Sequence, residues 1–479
     1  MSPAPMAESR SSAELGDLAI VLHSHMPYVE GFGTWPFGEE WLFDAVARSY
    51  LPVLETARDL TITVSPVLAD QLEAPDVAER LAAFVRRYRL GAAELDAAGA
   101  SGELRSAADG EAARYRRVLE RLESLGGDLL APFRLAAEEG GVALLPSAAT
   151  HAVLPLVATA PARRLQIDVG LRSHQRRFGA AEGFWLPECA YSPDLEPLLA
   201  ERGLRYLCVE QSAFYGGLEA LAPARTASGL VAFTLDWNAV QLVWSERGYP
   251  SDPAYGEFHR QSLEGSRLWA VGGGPYDAGA ASVRADQHAR EFARAIATRL
   301  AAFREQRGKP GLITFAVDTE LLGHWWAEGP AWLEAVLRHA PGQGVRLVTL
   351  PQALERHEPE DRSLRDSTWG EAKDLRTWDS PQVADLAWAP RRLELRLLRA
   401  LQRGELAPGA AERAARELLA VQASDWAFLD RRRQAGEYPY QRSTDHAQAL
   451  LDALHATEPL EPRLRSLAPD LSLAPLLEP

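Results

Sequence analysis

Cysteine is nearly absent, with Cys189 and Cys208 the only two in 479 residues. Two cysteines cannot build a disulfide framework, so a reducing compartment is the default. Long hydrophobic runs are missing as well. No stretch reaches the ~18 consecutive apolar residues of a membrane span, and Met1 to Ser12 lacks the basic start and apolar run of a signal peptide. The expectation is a cytoplasmic protein with no membrane partner. Excess positive charge is also lacking: 51 Lys and Arg face 66 Asp and Glu, a formal net charge of -15. A nucleic-acid partner requires a concentrated basic surface, and none is present. Short clusters such as Arg431-Arg432-Arg433 read as solvated faces.

What is there is an ordinary globular composition, 47% hydrophobic and 24% charged. The length suits one large domain with a smaller partner, or about three modest domains. Thirteen tryptophans is a generous number. Sugar rings have apolar faces that stack on flat aromatics, although tryptophans also fill cores.

Residues 1–14 read as a disordered N-terminus. Short apolar or β-branched runs closed by Pro, Gly or polar residues predict strands at Leu18–Leu22, Thr61–Ser65, Val142–Leu145, Phe184–Leu186, Leu204–Val209, Val231–Thr234, Leu312–Val317 and Arg346–Leu350. Helices are expected at 39–59, 285–307 and 331–339, and a mostly helical insertion around 75–139. Short strands alternating with helices indicate an α/β fold of βα units around a mainly parallel sheet. About seven such units would close, or nearly close, a barrel over residues 15–365. From 366 to 460 strand signals vanish and Ala, Leu, Arg and Glu recur at helical spacing, which predicts a helical C-terminal domain. Residues 461–479, rich in Pro and Leu, are expected to form an irregular surface tail.

Polar residues fall where such a fold binds ligands, at the carboxyl ends of strands. His23 and His25 follow the first strand, His151 follows the third, Glu188 the fourth and Asp318 the strand over Leu312–Val317. Residues two apart in a strand share a side, so His23 and His25 would face one cavity. Glu188 in Phe184-Trp185-Leu186-Pro187-Glu188-Cys189-Ala190-Tyr191 is a carboxylate in apolar company, which is costly unless partnered. Two carboxylates facing one cleft suit glycoside cleavage, one attacking the anomeric carbon and the other protonating the leaving oxygen. Glu320, two residues from Asp318, is either a helper or a salt-bridge partner. Two other readings of these residues exist: zinc held by His23, His25, His151 and Asp318, or a non-catalytic glucan binder.

Several segments in order then bear a resemblance: Val21-Leu22-His23-Ser24-His25-Met26-Pro27-Tyr28-Val29, Trp35-Pro36-Phe37-Gly38-Glu39-Glu40-Trp41-Leu42, Thr150-His151, Trp185 to Tyr191, Asp318-Thr319-Glu320-Leu321-Leu322-Gly323-His324-Trp325-Trp326, Ser367-Thr368-Trp369-Gly370 and Ser424-Asp425-Trp426. Together they resemble glycoside hydrolase family 57, in particular its 1,4-α-glucan branching enzymes. The resemblance implies an incomplete (β/α)7 barrel with a helical insertion and an all-helical C-terminal domain. It implies Glu188 as nucleophile, Asp318 as general acid/base, and His23, His25 and His151 around the subsite where the glycosyl-enzyme forms. Trp269, Trp369 and Trp378 resemble groove aromatics, and Trp41, Trp426, Glu320 and His324 join them as substrate-binding candidates. It implies an α-1,4-glucan partner such as amylose or a glycogen-like polysaccharide, and no metal or other cofactor. The chain departs from the group pattern over Gln211–Leu230, which is short, and at Thr234-Leu235-Asp236-Trp237, where the group has an Arg-Asp pair. This leaves hydrolysis (an amylase) or 4-α-glucanotransfer within the same family as the alternative outcome.

Overall fold

The computed structural model describes residues 14–34 and 36–478. The expected disordered segment lies outside the described residues, except for Glu14, which pairs with Arg346 and Arg356.

Ten strands lie among the described residues: β1 Gly16–Ser24, β2 Thr61–Val64, β3 Ala143–Leu145, β4 Gly183–Phe184, β5 Tyr206–Val209, β6 Ala224–Arg225, β7 Val231–Thr234, β8 Gly311–Asp318, β9 Val345–Leu347 and β10 Glu360–Asp361. β1 is the hub. β8 runs parallel along one edge, while β9 takes the start of the other edge and β2 its end. β3 continues from β2, and β4, β5 and β7 form a second parallel run. Single parallel bridges, Ser147 to Trp185 and Leu235 to Thr314, join the two sheets. The circuit β1-β2-β3-β4-β5-β7-β8 is therefore a seven-strand parallel ring, sealed at two places by one residue pair each. β6 lies antiparallel to β7, and β10 extends from β6 outside the ring.

Strand periodicity divides the core. On β1, Leu18, Ile20 and Leu22 face the surrounding helices. Ala19 and Val21 face the lumen with Trp185, Cys208, Phe233, Leu312 and Ala316. A period of two carries that inner face on to His23 of β1 and Asp318 of β8, and these two residues are paired neighbours across the strands.

The expected helix at 39–59 runs over Glu39–Thr56 with a π-helical stretch, Val46–Tyr50, in its middle. Pro52 has no N–H, so the carbonyl of Arg48 loses its helical donor and the turn widens. Gly323 packs on that carbonyl with φ of 101°, and a Cβ there would sit 1.9 Å from the oxygen. Glycine is required in this segment by contact and by backbone sign.

Between β2 and β3 stands the inserted helical region, with helices Gly102–Ser124 and Ala131–Gly140 following a first run from Val77. The helix expected at 285–307 starts earlier, at Ala278, where Asp277 caps it by accepting from Gly279 and Ala280. The last expected strand stops at Leu347. Thr349 and Gln352 form a capping box that turns Leu350–Arg356 into a helix. The helical C-terminal part begins at Ala384, later than expected. Residues 366–383 are loops and short 3-10 turns, because Gly370, Asp374 and Pro381 favour turns there. The tail is irregular as expected up to a short helix, Ala474–Leu477, but it does not lie on the surface: Leu464, Leu467, Ala468 and Leu476 are buried with the C-terminal helices. Apolar leucines at this density gain by burial. Among the described residues no helix is long and apolar enough to cross a membrane.

Candidate active site

Glu188 sits one turn past β4, where Pro187 ends the strand. Its φ of 61° and that of Cys189, 49°, lie in the left-handed region. Such backbone costs of order 1–3 kcal/mol per residue and persists where surroundings over-determine it. Here the Cys189 N–H bonds the Leu186 carbonyl, and the Glu188 carbonyl accepts the Trp369 N–H at 3.0 Å. The turn aims the carboxylate into the barrel mouth. Trp369 Nε1 donates to Oε2 at 2.8 Å and Ser424 Oγ to Oε1 at 2.8 Å. Burial raises the carboxyl above its usual range, while these two donors pull it back toward ionisation.

Three imidazoles line the same mouth. His23 Nε2 meets His151 Nε2 at 2.8 Å, and the His25 ring stacks on His151 with centroids 3.9 Å apart. Trp185, buried beneath, stacks on His23 at 4.9 Å. His151 itself has a φ of 58°, and its carbonyl accepts the Ser424 N–H at 3.1 Å. Burial and the neighbouring imidazoles hold His23 and His151 well below the ordinary histidine range. His25 differs. Burial disfavours its charge, but Asp425 at 3.0 Å, Glu320 and Glu188 outweigh that and raise it. The surroundings thus favour charge on His25 and disfavour it on His23 and His151.

Asp318 ends β8 beside His23. Burial pushes its carboxyl well up, and the charges of Glu320 and Glu188 push it further, with no hydrogen bond from the described residues acting in the opposite direction. Glu320 accepts from Tyr50 and from the His25 N–H at 3.0 Å; burial leaves it at about 7 despite those donors. The π-helical turn places Tyr50 here. The pair thus has divided environments: Glu188 is held by donors, Asp318 is left to keep its proton. A division of this kind is what glycoside cleavage asks of its two carboxylates.

The structure therefore brings Glu188, Asp318, His23, His25, His151, Glu320 and Trp369 together. One expected groove aromatic, Trp378, and one other substrate-binding candidate, Trp426, are core residues instead. Trp378, 2% exposed, packs among Val153, Ala190, Val383 and Leu386, and supports Gly370 from below. Trp426, 1% exposed, spends its indole N–H on the Ala420 carbonyl. Neither offers a face to a sugar, because each fills the junction between the barrel and the C-terminal helices. Trp41 is half-buried against Phe37 and Tyr438. Trp269 lies under the Arg260 guanidinium, 4.3 Å away. His324 packs on Phe258 and Trp325, and burial with nearby Arg267 lowers it to about 3.

Sequence reasoning missed Ser424, Asp425 and Tyr50 as site residues. Ser424 and Asp425 arrive from the helix Ser424–Arg432, 236 and 400 residues from the groups they bond. The segment Ser424-Asp425-Trp426 stands out in the sequence for its tryptophan, but its two small polar residues make the contacts.

The model of glycosyl hydrolase family 57 matches residues 19–365. The chain belongs to glycosyl hydrolase family 57. Within the family it falls in the branching-enzyme subgroup, since a model of the 1,4-alpha-glucan branching enzyme C-terminal region matches residues 386–470. A 1,4-alpha-glucan branching enzyme of Thermococcus kodakarensis is 34% identical over 90% of this chain and 72% of that protein. A probable 1,4-alpha-glucan branching enzyme of Mycobacterium tuberculosis is 32% identical over 91% of each. The crystal structure of a family 57 branching enzyme from Pyrococcus horikoshii superposes with a TM-score of 0.89 at 30% identity, covering 96% of this chain and 97% of that one. The alpha-amylase AmyC of Thermotoga maritima gives 0.82 at 25% identity, covering 91% and 92%.

Proposed function

We propose that this family 57 enzyme is a 1,4-α-glucan branching enzyme acting by retaining double displacement. Glu188 attacks C1 of an α-1,4-linked glucose while Asp318 gives its proton to the departing 4-oxygen. A glucan chain is then esterified to Glu188. Asp318, now a base, takes the proton of an acceptor's 6-hydroxyl; that oxygen attacks C1, Glu188 leaves as carboxylate, and an α-1,6 branch results. The observation that carries the double displacement is the contrast between the carboxylates: Glu188 with donors from Trp369 and Ser424, Asp318 raised by burial and by the charges of Glu320 and Glu188.

Hydrolysis is the second reading, favoured by the short segment Gln211–Leu230. It is fastened down and does not form a long cover: Tyr215 donates to the Ser363 carbonyl at 2.8 Å, Gln211 to that of Arg365, and the Arg365 guanidinium lies over Phe214. The missing Arg-Asp pair is replaced by a distant one, Asp236 with Arg299 at 2.8 Å. Water exclusion separates the two outcomes, and likeness across the C-terminal region favours transfer. The deciding experiment is product analysis on amylose, counting α-1,6 linkages by proton NMR and reducing ends in one sample. New α-1,6 linkages without matching reducing ends support branching; reducing ends alone make the enzyme an amylase. A cytoplasmic role on glycogen-like polysaccharide is part of the proposal, resting on the two buried cysteines, which are unpaired.

A further inference from the structure

Glu188 ends a chain of hydrogen bonds that crosses the barrel mouth. Thr63 Oγ1 lies 2.5 Å from His23 Nδ1, His23 Nε2 2.8 Å from His151 Nε2, His151 Nδ1 2.9 Å from Ser424 Oγ, and Ser424 Oγ 2.8 Å from Glu188 Oε1. The chemistry of each group fixes the direction. An ionised carboxylate only accepts, so Ser424 donates its single hydrogen to Glu188. His151 Nδ1 must then carry a hydrogen and donate to Ser424. A neutral imidazole has one N–H, and burial keeps both His23 and His151 neutral. His151 Nε2 is therefore an acceptor, His23 Nε2 a donor, and His23 Nδ1 accepts from the Thr63 hydroxyl. One assignment satisfies every link, and every donor points toward the carboxylate.

We infer that Ser424, supplied by the C-terminal helices and not by the barrel, is a positioning residue that holds Glu188 ionised before attack and stabilises it as the leaving carboxylate in the second displacement. This rests on Glu188 being the nucleophile. Charge returns to Glu188 when the acceptor displaces it, so a donor aimed at Oε1 from a buried helix start favours that step. Ser424 is 3% exposed, and its N–H is tied to the His151 carbonyl, so the hydroxyl is preorganised. The site is incomplete without the C-terminal region.

The test replaces Ser424 with alanine, cysteine and threonine in the full chain and follows kcat, KM and pH dependence on amylose. Ser424→Ala is expected to lower kcat about tenfold or more, the size of a hydrogen bond to a charged group. KM should fall with kcat, because slow displacement from Glu188 lets the covalent intermediate accumulate. The acid limb should move to higher pH, since the ionised form loses a donor. Other groups facing Glu188 stay in place: Trp369, His151 with Nδ1 3.6 Å away, the charges of His25 and Asp425, and the Asp318 carboxyl across the mouth. Ser424→Thr should restore the rate, and Ser424→Cys, a weak donor, should fall between. A folded Ser424→Ala enzyme with kcat within about twofold of the parent and an unmoved acid limb would overturn the inference. Nitrogen-15 NMR of histidine-labelled parent enzyme tests it without any variant: His151 should carry its proton on Nδ1 and His23 on Nε2, and the reverse tautomers would contradict it. If the nucleophile assignment itself is wrong, Glu188→Gln stays active. If only the role of Ser424 is wrong, Glu188→Gln is inactive and Ser424→Ala behaves as the parent.

Discussion

Trp369 grips Glu188 at two points, with its indole N–H on Oε2 at 2.8 Å and its backbone N–H on the Glu188 carbonyl at 3.0 Å. The second bond helps hold the left-handed turn that aims the carboxylate. The first favours its ionised form. Trp369→Phe keeps an aromatic ring and the backbone bond and removes one charged hydrogen bond. Such a bond is worth ~1.5–3 kcal/mol, so kcat on amylose should drop by about 10- to 100-fold. Steady-state rates on the folded variant check this, and a loss under about threefold would contradict the clamp.

Activity should follow a bell-shaped pH curve, needing Glu188 ionised and Asp318 protonated. Burial is the largest cause raising Asp318, and the charge of Glu320 comes next. Glu320→Gln removes that charge while its amide oxygen can still accept from Tyr50 and the His25 N–H. The Asp318 pKa should fall, so the basic limb should move to lower pH. A pH–rate profile of kcat/KM reads this directly. A basic limb that stays in place, or moves upward, would count against Asp318 as the acid.

Chelation should leave the rate unchanged. The ring nitrogens that a metal would use are committed to each other and to neighbours: His23 and His151 to one another, and His25 Nε2 to Asp425. Among the described residues no cluster of three or more His, Cys, Asp or Glu has the geometry to hold a metal ion. Incubation with EDTA followed by an activity assay tests this, and inactivation restored by zinc would revive the metal reading.

Much of the site was legible in the sequence because strands have period two. Ala19, Val21 and His23 share a face, as do Leu312, Thr314, Ala316 and Asp318, so a parallel barrel puts the last member of each run at its mouth. Glu188 was legible from Pro187 and its apolar company. The rest depends on packing between distant segments. Nothing local tells Trp369, which reaches Glu188, from Trp378, which is buried under Gly370. Ser424 carries no local sign of its partner 236 residues away. The end of β9 was misplaced because Val348 and Leu350 look like strand residues, while the Thr349 capping box overrides them. The prolines of the tail do signal its irregular backbone, but nothing local shows that its leucines meet a hydrophobic surface made by other helices.

The most direct test of the account is to trap the glycosyl-enzyme. In Asp318→Asn, an α-maltooligosaccharyl fluoride needs no acid to lose fluoride, so Glu188 can still attack. Without the base the acceptor cannot be activated, and the ester should accumulate. Proteolysis and mass spectrometry should find the sugar on the peptide containing Glu188. Modification of a different residue, or fluoride release with no covalent sugar at all, would contradict Glu188 as the nucleophile.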